Sequence, residues 1–172
     1  DYGGLGDGST TPRLTPVQVK GPGGVGFLTG ATEIATGAYH SCAVKSGGTV
    51  WCWGYNGNGQ LGDGSTNDRL TPVQVSGLTG AIDISAAYYH SCAVKSGGTA
   101  WCWGGNAQGQ LGDNSIISSS TPVQVLTDAI EISAGQVHSC AVKSGGTVWC
   151  WGANDYGGLG DGSTTPRLTP VQ

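Results

Sequence analysis

Residues 40–64 read HSCAVKSGGTVWCWGYNGNGQLGDG. Two short alternating runs, His40–Lys45 and Thr49–Trp53, flank Ser46-Gly47-Gly48, and such a turn between alternating runs signals a β-hairpin. With a three-residue loop, Lys45 faces Thr49, Val44 faces Val50, Ala43 faces Trp51 and Cys42 faces Cys52. Cys42, Val44, Val50 and Cys52 then share one side of the hairpin. Ala43, Trp51 and Trp53 share the other. A two-residue loop would shift the pairing by one and set each Cys opposite another residue.

The stretch recurs. HSCAVKSGGT begins at His40, His90 and His138, at intervals of 50 and 48 residues. WCWG begins at Trp51, Trp101 and Trp149, and TPVQ at Thr15, Thr71, Thr121 and Thr169. LGD begins at Leu5, Leu61, Leu111 and Leu159. The spacing is longest first, where Lys20–Leu28 is inserted, and shortest last, where the loop near Leu126–Asp128 is trimmed. A second regularity is laid over the first: residues 155–172 repeat residues 1–18, DYGGLGDGSTTPRLTPVQ, letter for letter at an offset of 154. Three accounts are open: a window on an array whose true period is three units, engineered overlapping ends, or a recent neutral duplication. The first is favoured.

The unit from Gly54 to Trp103 offers four extended segments. Thr71–Val75 is opened by Pro72, which suits an edge strand. Ala81–Ser85 alternates, with Ile82 and Ile84 expected on one face. His90–Lys95 and Thr99–Trp103 form the hairpin. No segment keeps a helical period. Four short strands in about 50 residues point to a β-propeller blade or a related stacked-sheet array. The expected fold is all-β: tandem four-stranded antiparallel blades, about three in this chain, completed by neighbouring repeats or subunits. The division expected is 1–53 (a partial blade with the first Cys-bearing hairpin), 54–103, 104–151, and 152–172 as the start of a further repeat.

A His-led strand, a Gly turn, a strand ending in Trp-Gly and an Asn/Gly-rich loop leading to Gly-Gln-Leu-Gly together resemble the repeats of the regulator of chromosome condensation family. The resemblance covers nearly every residue, and the Cys pair in each hairpin resembles the bacterial secreted branch. It implies propeller blades that close into a ring. It also implies protein-binding roles, among them nucleotide exchange for a small nuclear GTPase and inhibition of β-lactamases by secreted members.

The six Cys fall into pairs ten residues apart: Cys42 and Cys52, Cys92 and Cys102, Cys140 and Cys150. Three disulfides within blades are the favoured reading, and they imply an oxidising compartment. The alternative is a metal trio of His40, Cys42 and Cys52, but structural zinc wants four ligands and no fourth recurs. The neighbouring His40-Ser41, His90-Ser91 and His138-Ser139 point to opposite faces of their strands, so catalysis by the pair is not expected. A His in every unit suits a hydrogen bond between blades. The Trp pairs read as packing between sheets.

The net charge is −4, and charged residues make up 10 % of the chain, which gives no electrostatic reason to expect nucleic acid or an anionic membrane surface. The apolar runs are too short for a membrane helix. Met is absent, and no charged-then-apolar leader follows Asp1, so a mature piece or excerpt is expected. No catalytic, cofactor-binding or metal site is expected, and hence no enzyme. Repeated positions hold the fold, so specific contacts belong where the units differ: Phe27, Tyr88, Tyr89, Ile116 and Ile117 are the candidate protein contacts. Three blades leave two bare ends. The expected function is therefore an extracellular or cell-surface structural protein that assembles through its ends, with copies of itself or further repeats as partners. The alternative is a secreted protein-binding module of inhibitor or adhesion type.

Overall fold

The computed structural model describes residues 2–172. Among the described residues, twelve strands form three antiparallel sheets. The first holds β1 (Ala31–Thr36), β2 (His40–Lys45), β3 (Thr49–Gly54) and β4 (Arg69–Gln74). The second holds β5 (Ala81–Ala86), β6 (His90–Lys95), β7 (Ala100–Gly104) and β8 (Ser119–Leu126). The third holds β9 (Ala129–Ala134), β10 (His138–Lys143), β11 (Val148–Gly152) and β12 (Arg167–Val171). Strands follow chain order within each sheet, and the chain is an all-β array of blades. The inner strands β1 and β5, and β5 and β9, approach each other from sheet to sheet, while the outer strands β8 and β12 meet only sparsely.

The hairpin register is the three-residue-loop register. Cys42 faces Cys52, Ala43 faces Trp51 and Lys45 faces Thr49, and the other two hairpins keep the same Cys–Cys opposition. Disulfides join Cys42 to Cys52, Cys92 to Cys102 and Cys140 to Cys150. The sulfurs are therefore not free thiolates. Among the described residues no cluster of three or more His, Cys, Asp or Glu could hold a metal.

A sheet and a sequence repeat are offset. The repeat cut at Trp53/Gly54 falls inside β3, and the TPVQ strand closes the sheet before it rather than opening the next. The reason is local: β4 folds back antiparallel on the WCW strand that immediately precedes it in the chain. A second departure concerns Ile82. It sits in a register break between Ala81 and Asp83, and a bulge turns one residue out of alternation. Ile84 is buried, but Ile82 is exposed.

Identical sequences adopt different conformations at the two ends. Arg167–Val171 pairs with β11 as a strand. Arg13–Val17, the same five residues, forms no ladder. The difference is the neighbour: residues 167–171 lie beside β11, and residues 13–17 lie beside no such strand among the described residues.

The core lies between sheets. Cys42, Val44, Val50, Cys52 and Leu61 of the first blade pack against Ile84, Ala93 and Trp103 of the second. Cys92, Val94, Ala100, Cys102 and Leu111 pack in the same way against Ile132, Ala141 and Trp151. One face of each hairpin thus meets the opposite face of the next. Within each Trp pair only the second ring is the deep one: Trp53, Trp103 and Trp151 are buried. Trp51, Trp101 and Trp149 are half-buried, each beneath a lysine (Lys45, Lys95, Lys143).

Candidate functional site

The distinctive chemistry of the molecule is concentrated in the seams between blades. His40 opens β2 and reaches across to the next sheet, where its Nε2 lies 2.7 Å from Ser91 Oγ. Ser91 Oγ donates to the Gln60 carbonyl at 2.9 Å, and Trp103 Nε1 donates to the same oxygen at 2.9 Å. The second seam repeats the set: His90 Nε2 to Ser139 Oγ at 2.9 Å, with Ser139 and Trp151 both on the Gln110 carbonyl. His and Ser adjacent in sequence do point apart, but His of one blade meets Ser of the next. That pairing is invisible in a linear repeat, because its partners lie about one period apart.

The direction of these bonds assigns the His tautomer. The Ser hydroxyl spends its hydrogen on the carbonyl, so it must accept from the imidazole, and Nε2 carries the proton. Nδ1 is then bare, and the Nδ1 atoms of His40 and His90 are buried without a partner. Burial lowers the His40 pKa to about 4. Burial, with smaller repulsion from His40 and His138, lowers that of His90 to about 3. Both rings are neutral at pH 7. A neutral His that donates to Ser cannot act as its base, and both residues are shut away from solvent. The pair is a seam, not a nucleophile.

The loops after β3, β7 and β11 are built on an asparagine. Asn56 Oδ1 accepts from the Leu61 amide, and its Nδ2 donates to the Ser65 carbonyl and to Asp63. Asn106 and Asn154 do the same for Leu111 and Leu159. All three are buried. The loop thus carries its Leu into the seam and aims the Gln60 or Gln110 carbonyl at the next blade. Gly62 is required here: its φ is +70°, and a Cβ would stand 2.7 Å from the Trp103 Nε1. At Asp63 burial alone would raise the pKa, but hydrogen bonds from Ser65 and Arg69 outweigh it and hold the carboxyl below its ordinary range. Asp161 is held down to about 2, chiefly by Arg167. In the second blade Ser119 stands where the others have Arg. The loop asparagines were missed in the sequence reading; their recurrence two residues after each Trp-Gly was the available signal.

Of the candidate contact residues, Tyr88, Tyr89, Ile116 and Ile117 lie toward one end of the sheets, and Phe27 lies in the insertion. Tyr88 and Tyr89 join Tyr2, Tyr39 and Tyr55 in a cluster with ring centres 4.8–6.1 Å apart. Tyr39 and Tyr88 share a hydroxyl hydrogen bond of 3.0 Å, and chiefly through it the Tyr39 pKa rises to about 12. The cluster gathers at the β1–β2 and β5–β6 turns, the same end of the sheets as the β7–β8 loop that exposes Ile116 and Ile117. Phe27 lies in the insertion, half exposed, with the Lys20 ammonium 5.0 Å from its ring centre.

Comparison with known proteins agrees with this geometry. The chain is 40 % identical over 75 residues to the Ultraviolet-B receptor UVR8 of Arabidopsis thaliana, covering 44 % of this chain and 16 % of the receptor. It is 43 % identical over 79 residues to the probable E3 ubiquitin-protein ligase HERC4 of Homo sapiens, covering 44 % of this chain and 7 % of the ligase. Human WBSCR16 superposes with a TM-score of 0.80 at 23 % identity, over 99 % of this chain and 46 % of that one. Yeast RCC1 (Prp20), solved bound to Kap60, superposes with a TM-score of 0.78 at 18 % identity, over 99 % and 42 %. The chain therefore spans less than half the length of each of these proteins, and the structural likenesses speak for the fold alone. The regulator of chromosome condensation (RCC1) repeat matches at residues 1–44, 47–94, 97–142 and 145–172. The chain belongs to the regulator of chromosome condensation (RCC1) repeat family.

Proposed function

We propose that this chain is a non-enzymatic structural module of an extracellular array, assembling through its blade ends into a filament, sheath or surface layer. The observation that supports the reading is the exposure of apolar positions on the first and third blades that are buried at equivalent places between blades. Ile34 is 61 % exposed, while its equivalents Ile84 and Ile132 are 6 % and 5 % exposed. Val148 is 53 % exposed, while Val50 and Ala100 at its position are 0 % exposed. A blade in this family buries each face against a neighbour, so such faces call for more blades. Three disulfides are compatible with an oxidising setting, and the low net charge favours close self-packing over repulsion.

Electron microscopy of the purified, oxidised protein tests this. Elongated particles with a blade-scale repeat are expected. Isolated discs or single three-blade particles at high concentration overturn it.

A second reading has its own support. The non-repeated Tyr88, Tyr89, Ile116 and Ile117 gather at one end of the sheets, as a surface for a protein partner would. Yeast Prp20p has been described with binding properties to Gsp1p and histones, so the same fold carries protein-binding surfaces elsewhere. A secreted binding module is the reading that discs would favour.

A further inference from the structure

We propose that Tyr39 and Tyr88 are an oxidative cross-linking site: under a one-electron oxidant driven by a peroxide, the two phenols couple to a dityrosine that joins the first blade to the second across their seam. The site is complete within one chain and serves an array and a binding module alike.

The disulfides staple the blades, but each joins neighbouring strands of a single sheet. The seams are held by packing and hydrogen bonds. Tyr39 and Tyr88 stand on the two sides of the first seam, at the β1–β2 and β5–β6 turns and 49 positions apart. The pair is not part of the repeat. Tyr39 directly precedes His40, and Tyr88 lies two residues before His90; the same places in the second seam hold Tyr89 and Gln136.

The geometry is that of a coupling pair. The two hydroxyls share a hydrogen bond of 3.0 Å. The ring centres are 5.1 Å apart and the ring planes cross at 82°. Joining two phenols at their ortho carbons gives a biphenol whose hydroxyls flank the new bond and hydrogen-bond to each other across it. The native pair already makes that hydrogen bond. Its ring centres stand little farther apart than those of a bonded biphenyl, and a biphenol tolerates a steep angle between its planes. Reactants held in this way combine far faster than free ones. Tyr88 and Tyr89 are closer, at 4.8 Å between centres, but they are neighbours in the chain. Tyr2 and Tyr55 are 5.0 Å apart, but no hydroxyl bond holds their oxygens together among the described residues.

The step balances. Each phenol gives one electron to the oxidant and its hydroxyl proton to solvent. The unpaired electron is shared with the ortho carbons, and the two rings join Cε to Cε. Each joined carbon then releases its hydrogen as a proton while its oxygen takes one up, which restores both phenols. Two electrons and two protons have left the pair, and one hydrogen peroxide takes up all four to become two waters. Haem supplies the one-electron chemistry that links peroxide to phenol. Tyr39 and Tyr88 are half-buried, not sealed, so a small oxidant reaches them. Tyr89, with its ring centre 6.1 Å from that of Tyr39, extends the same aromatic cluster.

The test treats the dilute full chain, disulfides intact, with hydrogen peroxide and a haem peptide small enough to reach half-buried rings. The monomer should lose the mass of two hydrogens and gain the blue fluorescence of dityrosine. Trypsin cuts after Lys20, Lys45, Arg69 and Lys95. After reduction and digestion, peptides 21–45 and 70–95 should therefore appear as one species, two hydrogens lighter than their sum. Tyr39→Phe and Tyr88→Phe should each abolish that species, and Tyr89→Phe should leave it. Each change removes a single hydroxyl, and an unchanged circular dichroism spectrum verifies the fold. The cross-linked chain should also unfold at higher urea than the parent, because the bridge closes a long loop across the seam. Absence of the joined peptides, their survival in Tyr39→Phe or Tyr88→Phe, or coupling that runs instead through Tyr2 and Tyr55 or between chains through the exposed Tyr156 overturns the proposal.

Discussion

His40 Nε2 lies 2.7 Å from Ser91 Oγ across the gap between two sheets, and that single contact ties seam stability to pH. The folded pKa of His40 is lowered from 6.5 to about 4 by burial. A group whose folded pKa is depressed below its unfolded value binds fewer protons when folded, so stability rises with pH through the window between the two. For His40 that stability is complete above pH 6.5 and is lost as pH falls toward 4. His90 extends the loss toward pH 3. Each pKa unit corresponds to ~1.4 kcal/mol, so His40 alone accounts for a decline on the order of 3 kcal/mol. Urea midpoints measured from pH 7 to pH 4 should fall steadily. His40→Gln keeps a donor toward Ser91 but cannot take up a proton, so its midpoint should be lower at pH 7 and fall less steeply. A parent midpoint that stays flat between pH 7 and pH 4.5 would sink this account.

The bridges give a second prediction. Cys92 and Cys102 face each other across β6 and β7, ten positions apart in the sequence. Closing so small a loop in the unfolded chain is worth about 2–3 kcal/mol. Cys92→Ser should lower the midpoint by that order and leave a Cys102 thiol that reacts only on opening, since the site is fully buried. Reduction of the parent should destabilise all three blades. Intact mass under non-reducing conditions should lie below the reduced mass by two hydrogens per bridge. A full complement of free thiols in the native protein contradicts it.

The hairpins were legible because their information is local. Ser46-Gly47-Gly48 sets the register, and the register sets Cys42 against Cys52. Position along a strand was less legible. Ile82 lies in a bulge, and nothing in AIDIS announces an extra residue. The seams were legible only as a requirement. A His in every blade implied a bond between blades, but which Ser would receive it depends on the stacking of one sheet on the next. Trp101 and Trp103 look equivalent in WCW, yet Trp103 is fully buried in the seam with the preceding blade, while Trp101 packs at the margin of that seam, half-buried under Lys95. The folding of 13–17 was the least legible, since identical residues at 167–171 form a strand. What separates the two is a neighbour.

Trp103 tests how much the seam itself contributes. It is fully buried among residues of the first blade, and its Nε1 donates to the Gln60 carbonyl. Trp103→Ala removes a large apolar side chain from a packed site, at a cost of about 3–5 kcal/mol. Trp103→Phe keeps most of the burial but loses the donor. The carbonyl still accepts from Ser91, so the smaller change should cost about 1–2 kcal/mol. Equal losses in the two variants would show that the hydrogen bond, not the packing, dominates this seam.

Asn106 tests the loop that feeds the seam. Its Oδ1 accepts from the buried Leu111 amide at 2.9 Å, and its Nδ2 lies 3.1 Å from each of Asp113 Oδ1, the Ser115 carbonyl and the Ile117 carbonyl. Asn106→Ala leaves the Leu111 amide without its acceptor, which costs about 1–3 kcal/mol. It also frees the loop carrying Ile116 and Ile117. Hydrogen exchange at Leu111 should quicken by more than global destabilisation explains, because the amide loses its own partner. Asn106→Asp separates the two halves of the role. It preserves the acceptor for Leu111 but sets a carboxylate against Asp113 and two carbonyls, so it should destabilise at pH 7 and recover in part as the pH drops through the carboxylate range. If Asn106→Asp matches the parent at pH 7, the amide donors contribute nothing, and the loop is held by Leu111 packing alone.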